Sequence, residues 1–258
     1  MFKKTIILLI VLSFCVTAAG CFPFGSIVGR GPVETRNFEF SGFTRIVAAT
    51  AFDVEVVLSS DFSVTVTTNE NLFEYMDLQQ NGDTLTVQLR SGSYSFASLK
   101  ARITMPDLFS LEVSGASSGQ VSDFNFSHAL TLKASGASSI DLSNVRAGDV
   151  EMEISGASRV RGGIETDHGR INLSGASTVD LAGNGRNYEL TASGASNATL
   201  RNFTTDNTKV VFSGASSGSV NSDGQLDVSL SGASSLRYFG NPTVGDVDVS
   251  GGSSFSRG

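Results

Sequence analysis

The sequence predicts an all-β protein, a parallel β-helix (solenoid) with coils of about 19–20 residues, on three observations. Ser-Gly-Ala-Ser occurs seven times from Ser114 onward at intervals of 18–21 residues, and Ser-Gly-Gly-Ser follows at Ser250. Apolar and polar residues alternate on both sides of the phrase, as in a strand with one buried face. The repeat is also too short for a strand-helix-strand crossover, so each strand is expected to stack on its copy one repeat later.

Residues 1–20 are expected to be an export signal rather than part of the fold. Lys3 and Lys4 precede an apolar run that is too short to remain as a membrane span. The small residues before Cys21 resemble the bacterial lipobox, which implies cleavage before Cys21 and lipidation of its thiol. This predicts attachment to a membrane through an N-terminal lipid anchor. The alternative is an ordinary signal peptide with a chance cysteine.

Charge and cysteine content exclude several classes of function. Removing Lys3 and Lys4 changes the formal net charge from −7 to −9, and no basic stripe is present. Such a protein is a poor ligand for nucleic acid, so no nucleic-acid partner is expected. Cys15 is lost with the signal, which leaves no free thiol for a disulfide or for cysteine catalysis.

The segment between the signal and the repeats divides into two parts. Residues 21–32 are rich in glycine and proline and predict a flexible tether. Residues 33–110 form an irregular β-rich N-terminal part without the repeated phrase, with a turn at Asn81-Gly82-Asp83 and a helical turn over Asn69–Tyr75. No linker separates this part from the solenoid of residues 111–258. The sequence therefore predicts a single β-helix domain over residues 33–258.

The repeated phrase is interpreted as the corner between two strands. Its glycine suits a corner because it adopts positive φ and allows neighbouring backbones to approach closely. The predicted corner glycines are Gly115, Gly136, Gly156, Gly175, Gly194, Gly214, Gly232 and Gly251. The serines are expected to bond to the corners and to one another. A functional alternative is a regular hydroxyl surface for a repetitive ligand, either a glycan or ice.

Two outward columns are expected to carry alternating charge from coil to coil. One contains Glu112, Lys133 and Glu153, and the other contains Asp141, Arg161 and Asp180. Opposite charges facing each other at strand spacing are favourable, so these columns are interpreted as ladders that fix the register. The functional alternative is that they contact carbohydrate.

No catalytic residue, metal site or cofactor is predicted. His128 and His168 have no metal-ligand spacing and are interpreted as loop histidines. The sequence contains no nucleophile elbow, phosphate loop or calcium-binding nonapeptide. Enzymes built on β-helices form clefts from long loop insertions, whereas these repeats vary only from 18 to 21 residues.

The chain resembles the putative auto-transporter adhesin head GIN domain family over about residues 35–255. The resemblance rests on the Ser-Gly-Ala-Ser repeats together with the segments 43–46, 52–54, 69–72, 82–85 and 103–106. It implies a right-handed β-helix on the bacterial cell envelope and says little about activity. No translocation barrel is recognisable, so the lipidated cysteine is expected to replace it as the anchor.

These observations predict an exported, lipid-anchored and non-enzymatic envelope protein for adhesion or scaffolding, with a glycan or an envelope protein as partner. Phe22 after the cysteine, instead of aspartate, favours the outer membrane, facing either the periplasm or the exterior. The alternative is a polysaccharide-binding or polysaccharide-active β-helix. At the C-terminal end, Tyr238, Phe239 and Phe255 are expected to close the last coil by aromatic packing, or else this end serves association.

Overall fold

The computed structural model describes residues 25–95 and 97–258 and is nearly all β. The N-terminal part has one 3-10 helix, Glu70–Tyr75, between its strands. These strands are β1 (Ile27–Val28), β2 (Val33–Phe38), β3 (Arg45–Ala48), β4 (Asp53–Leu58), β5 (Ser63–Asn69), β6 (Met76–Asn81), β7 (Thr84–Leu89), β8 (Tyr94–Ser95) and β9 (Leu99–Met105).

The repeats supply the remaining strands, which pair in parallel as predicted. They are β10 (Ser110–Val113), β11 (Ser118–Ser122), β12 (Leu130–Ala134), β13 (Ser139–Arg146), β14 (Asp149–Ile154), β15 (Arg159–Glu165), β16 (His168–Leu173), β17 (Thr178–Ala192), β18 (Asn197–Phe212), β19 (Ser217–Ser222), β20 (Gln225–Leu230), β21 (Ser235–Phe239), β22 (Thr243–Val249) and β23 (Ser254–Arg257). The predicted parallel solenoid is therefore confirmed.

The strands form two main faces that meet at the repeated corners. The first face contains the strands before the corners, in the order β7, β3, β10, β12, β14, β16, the second halves of β17 and β18, β20 and β22. The second face contains those after the corners, in the order β9, β4, β11, β13, β15, the first halves of β17 and β18, β19, β21 and β23. A third side connects the second face to the next coil.

The inward side chains of all coils form one continuous apolar core. On the first face, a single inward column descends the stack through residues that are all buried. Its members in the repeats are Leu111, Leu132, Met152, Ile171, Leu190, Val210 and Val228. Stacking like residues at strand spacing buries a core that no single repeat could bury alone.

The order of the coils at the N-terminal end does not follow the chain. The coil of β3 and β4 lies directly under β10 and β11, and the later coil of β7 and β9 lies outside it. Strands β5 and β6 then pair antiparallel with β9 and β7, and β2 pairs antiparallel with β5. The irregular N-terminal part therefore covers this end of the solenoid.

The predicted tether needs correction at its described end. Strand β1 pairs with β8, and the Arg30 amide donates to Asn71 Oδ1 over 2.7 Å. Asn71 Nδ2 in turn donates to the carbonyl of Val28 over 2.9 Å. Residues 27–30 are thus held against the domain. Their backbone groups form hydrogen bonds with the domain, whereas those of a free tether would bond to water.

The last coil is only partly closed by aromatic packing. The rings of Tyr238 and Phe255 stack with centroids 5.0 Å apart. On the other side of this end, however, Val247 and Val249 are 45% and 41% exposed, although they continue the inward columns of the first face. The expected closure therefore holds for the second face alone.

Candidate functional site

The predicted lipidation site, Cys21, lies outside the described residues. The described chain begins at Gly25 and reaches the domain through β1, which pairs with β8 beside the N-terminal coil. An anchor upstream of this point would attach next to the covered end of the solenoid, with the repeats leading away from it.

All eight corner glycines have positive φ, between +70° and +77°. The backbone ladder continues through the corners, since the Ala176 amide donates to the Gly156 carbonyl over 2.7 Å. A Cβ atom on Gly175 would lie 2.5 Å from that same carbonyl oxygen. Both the backbone conformation and the close stacking therefore require glycine at Gly175.

The last serine of the Ser-Gly-Ala-Ser phrase stabilises the corner in several coils, where its hydroxyl forms a hydrogen bond to the backbone. Ser117, Ser138, Ser158, Ser177, Ser196, Ser216 and Ser234 are all buried. The Ser177 hydroxyl donates to the carbonyl of Ser174 over 2.7 Å, and Ser196 bonds to Ser193 in the same way. These hydroxyls face the core, so they add nothing to an outer hydroxyl surface.

The coil of β3 and β4, which is the first in chain order, has a ninth corner. The sequence did not reveal it because this corner lacks the Ser-Gly-Ala-Ser phrase. Ala49-Thr50-Ala51-Phe52 lies under the corner of Gly115, and Thr50 and Ala51 both have φ of +63° without being glycine. The Phe52 amide donates to the buried Ser117 hydroxyl over 3.2 Å. The only signal was the apolar pattern of the flanking strands.

Among the described residues, each of the two predicted charge ladders forms one ion pair out of the two that were expected. Lys133 Nζ lies 2.6 Å from Glu153 Oε2, and this hydrogen bond raises the pKa of Lys133. Arg161 pairs with Asp141 on the second face. These side chains are largely exposed to solvent, which screens their attraction, so each pair contributes little to stability.

The upper part of the second face differs from its lower part. The column that contains Asp141, Arg161 and Asp180 continues through Thr199, Ser219, Arg237 and Ser256. Here the column borders a shallow depression of about 370 Å³, which Arg201 and Phe239 also line. The Arg201 guanidinium lies 4.5 Å from the centre of the Phe239 ring.

Two other depressions are occupied by ion pairs. One of about 530 Å³ on the first face contains Glu189, which pairs with Arg170 at 3.0 Å and with Lys209 at 3.5 Å. The other, of about 710 Å³ on the third side, contains the pair Arg186–Asp167 at 3.2 Å. These five charged side chains already have partners within the protein.

His128 lies in the loop between β11 and β12, as expected, whereas His168 lies in a strand. His168 opens β16, where its Nδ1 accepts from Asn187 over 3.0 Å. His128 stacks on Phe109, with ring centres 3.8 Å apart, and its Nε2 lies 2.6 Å from Asp107 Oδ1. Between residues 25 and 258, leaving aside residue 96, no three His, Cys, Asp or Glu side chains are placed to hold a metal ion.

One tyrosine is buried within the solenoid with a polar partner. Burial raises the pKa of Tyr188, and the hydrogen bond of its hydroxyl with Thr166, 2.5 Å long, opposes that shift. Its ring lies beside Gly169 and Gly185, where an added Cβ would come within 2.3 Å of it. Tyr188 therefore stays neutral and fills space, and it has the character of a core residue.

Comparison with protein families settles the relationship of the chain. The family described as "Putative auto-transporter adhesin, head GIN domain" matches residues 42–242, which contain the strands from β3 to β21. The chain belongs to this family. Membership indicates a surface or exported protein of the adhesin type with a β-solenoid fold.

Solved structures share the fold of this family member. A "Putative lipid binding protein" from Parabacteroides distasonis is 20% identical, with a TM-score of 0.85 over 90% of this chain and 99% of that one. A "putative adhesin" from Parabacteroides merdae is 18% identical, with a TM-score of 0.84 over 90% of this chain and 98% of that one. No curated protein matches the chain. Across the described residues, no helix has the length and apolar character needed to cross a membrane.

Proposed function

We propose that the protein is a lipid-anchored, non-enzymatic component of the bacterial cell envelope, in which the solenoid presents its outer faces for adhesion. The observation that carries the proposal is the regular outer surface. Outward side chains recur once per coil at about 4.8 Å along both faces, which suits the recognition of an extended partner. Membership in the adhesin family supports this function.

The distribution of charged groups supports a binding role over a catalytic one. Glycosidic cleavage needs two free carboxylates at a defined separation. Asp141 and Glu153 instead pair with cations of the neighbouring coil. The depressions on the outer faces are shallow and are bordered by strands rather than by long loops.

The anchoring half of the proposal is tested by Cys21→Ser. The small residues before Cys21 support lipidation there. We expect the variant to leave the membrane fraction or to accumulate as an unprocessed precursor, whereas wild type fractionates with membranes and labels with a radioactive fatty acid. A variant that fractionates, migrates and labels like wild type would show that Cys21 is not the anchor.

The adhesion half is tested by attachment of cells. Cells that carry the wild-type protein, the Cys21→Ser variant or no protein are compared for retention on surfaces coated with envelope extract or with polysaccharide. We expect retention above background only with the anchored protein. Equal retention of all three strains contradicts adhesion. Release of sugar fragments or unsaturated products from the polysaccharides by the chain from residue 22 would instead favour the polysaccharide-active alternative.

A further inference from the structure

The upper second face contains a group of side chains that the structural ladders do not explain. We define the arginine patch as Arg201, Arg237, Phe239, Asn197, Thr199 and Ser219, which border the depression of about 370 Å³. The depression extends over β18, β19, β21 and β23. Three steps of strand spacing give it a length of about 14 Å along the axis.

The arginines of this patch have no acidic partner. Among the described residues, neither Arg201 nor Arg237 forms an ion pair, and no Asp or Glu lines the depression. Arg161 stands in the same column as Arg237 and pairs with Asp141. Asp180, the next residue of the column, lies beside Thr199 and outside the depression. Above Asp180 the column continues through Thr199, Ser219, Arg237 and Ser256 and is cationic, in a protein whose formal net charge is negative.

One guanidinium is held in place before any ligand arrives. The Arg201 guanidinium reaches the ring of Phe239, two coils away, and lies 4.5 Å from the ring centre. This cation–π contact restricts the side chain, so less conformational entropy is lost on binding. A planar guanidinium is suited to hold a carboxylate through two parallel hydrogen bonds.

Neutral polar groups adjoin the two cations. Asn197 Nδ2 donates to Ser217 Oγ over 2.8 Å, and Thr199 Oγ1 donates to Asn197 Oδ1 over 3.2 Å. The network fixes these groups while hydroxyl oxygens retain acceptor capacity towards solvent. Hydroxyl and amide groups beside an arginine match a ligand that carries both hydroxyls and carboxylates.

We propose that the arginine patch binds an acidic polysaccharide, with Arg201 and Arg237 on its carboxylates and Thr199 and Ser219 on its sugar hydroxyls. This inference rests on the proposed binding function and names the class of ligand. A nucleic acid would need many more cations than two on a protein of this negative charge. A lipid would need an apolar surface, whereas the exposed valines of the last coil belong to the first face.

The test measures binding of the chain from residue 22, which keeps all described residues, to polygalacturonate, alginate and hyaluronate by biolayer interferometry. The control ligands are methyl-esterified polygalacturonate, polyphosphate and phosphatidylglycerol vesicles. We expect at least one acidic polysaccharide to bind. For polygalacturonate, methyl esterification should weaken binding at least about tenfold, because it removes the charge-assisted hydrogen bonds.

Matched variants locate the site. Arg237→Ala and Arg201→Ala should each lower the affinity about tenfold. Arg161→Ala, in the same column but paired with Asp141, should leave it unchanged. Arg237→Lys should fall between wild type and Arg237→Ala, because it keeps the charge but not the paired hydrogen bonds. Unfolding midpoints that match wild type show that the exposed arginines act on binding and not on folding.

Several outcomes overturn the proposal. These are no binding to any of the acidic polysaccharides, equal binding of the esterified polymer, an equal loss in Arg161→Ala, or preferential binding of polyphosphate or vesicles. If the polysaccharides fail to bind while anchored cells still attach to envelope extract, the patch is wrong and the adhesion proposal stands. If the polysaccharides bind at the patch while cells do not attach, adhesion is wrong and the patch stands.

Discussion

At the N-terminal end of the solenoid, β5 and β6 lie antiparallel on the outermost coil and β2 pairs with β5, whereas at the C-terminal end no other described strand covers β22 and β23. The inward valines Val244, Val247 and Val249 are 40%, 45% and 41% exposed there. Edge strands with free backbone groups invite pairing, and covering them is a common protection. In a stack where each coil contacts only its neighbours, burial and local stability should therefore fall from the covered end towards the open end.

The largest expected effect compares one phenylalanine near each end. Phe52 is fully buried in the first coil, and Phe255 is half-buried in the last. Phe52→Ala should lower the free energy of unfolding by about 3–5 kcal/mol because it leaves a cavity. Phe255→Ala should cost under about 1.5 kcal/mol because less apolar area is lost. Urea unfolding of the chain from residue 22 measures both, and equal losses would contradict the gradient.

The next effect compares the corner at the junction with the N-terminal part and a corner in the middle of the stack. Gly115 and Gly175 have φ of +73° and +76°. An added Cβ on Gly115 meets only the Thr50 amide nitrogen at 3.5 Å, whereas on Gly175 it meets the Gly156 carbonyl oxygen at 2.5 Å.

Alanine at these two corners separates backbone conformation from crowding. Gly115→Ala should cost about 1–2 kcal/mol for the left-handed backbone alone. Gly175→Ala should cost roughly 1–3 kcal/mol more because the coils must separate, and Gly175→Val should be worse still. The urea unfolding midpoints of the two alanine variants separate the cost of the backbone conformation from the cost of crowding. Equal costs of the two alanine variants would mean that the coils shift freely and that only φ matters.

The repeats were predictable because one phrase marks every corner from Gly115 onward and the strands beside it alternate with period two. The N-terminal part has the alternation in its strands but lacks the phrase that marks the corners. The corner at Thr50 and Ala51 uses left-handed backbone without glycine, and the reversal of coil order depends on which strands meet in space.

The arginine patch was unpredictable for a related reason. Arg201 and Phe239 are two coils apart. Arg201 lies within a register shift, between Leu200 and Thr204, in the pairing of β18 with β19. Period-two alternation predicts which residues point outward, but an irregularity in register changes which of them become neighbours.

A smaller effect compares two paired valines of adjacent coils near the open end. Val228 is buried, and Val247, its partner in the last coil, is exposed. Val228→Thr should cost about 1–3 kcal/mol because it buries a hydroxyl among apolar side chains. Val247→Thr should change stability by no more than about 0.5 kcal/mol. Differential scanning calorimetry of the two variants measures the difference, and a comparable loss at Val247 would indicate that the last coil is covered in solution.

The smallest effect has the opposite sign and lies in the covering strands. Thr68 in β5 is buried, and among the described residues its hydroxyl has no hydrogen-bond partner. Thr205 in the repeats is buried as well, but its hydroxyl donates to the Asn221 carbonyl over 3.0 Å and lies 2.5 Å from the Thr208 hydroxyl.

Valine in place of each threonine keeps the shape and removes the hydroxyl. Thr68→Val should leave stability unchanged or raise it by up to about 1 kcal/mol, because it removes an unsatisfied buried group. Thr205→Val should lower it by about 1–2 kcal/mol, because it leaves the Asn221 carbonyl and the Thr208 hydroxyl without their partner. Urea unfolding of the two variants beside wild type gives the signs directly. A loss in Thr68→Val as large as that in Thr205→Val would mean that a buried water satisfies Thr68, so that the covering strands are as fully hydrogen-bonded as the repeats that they protect.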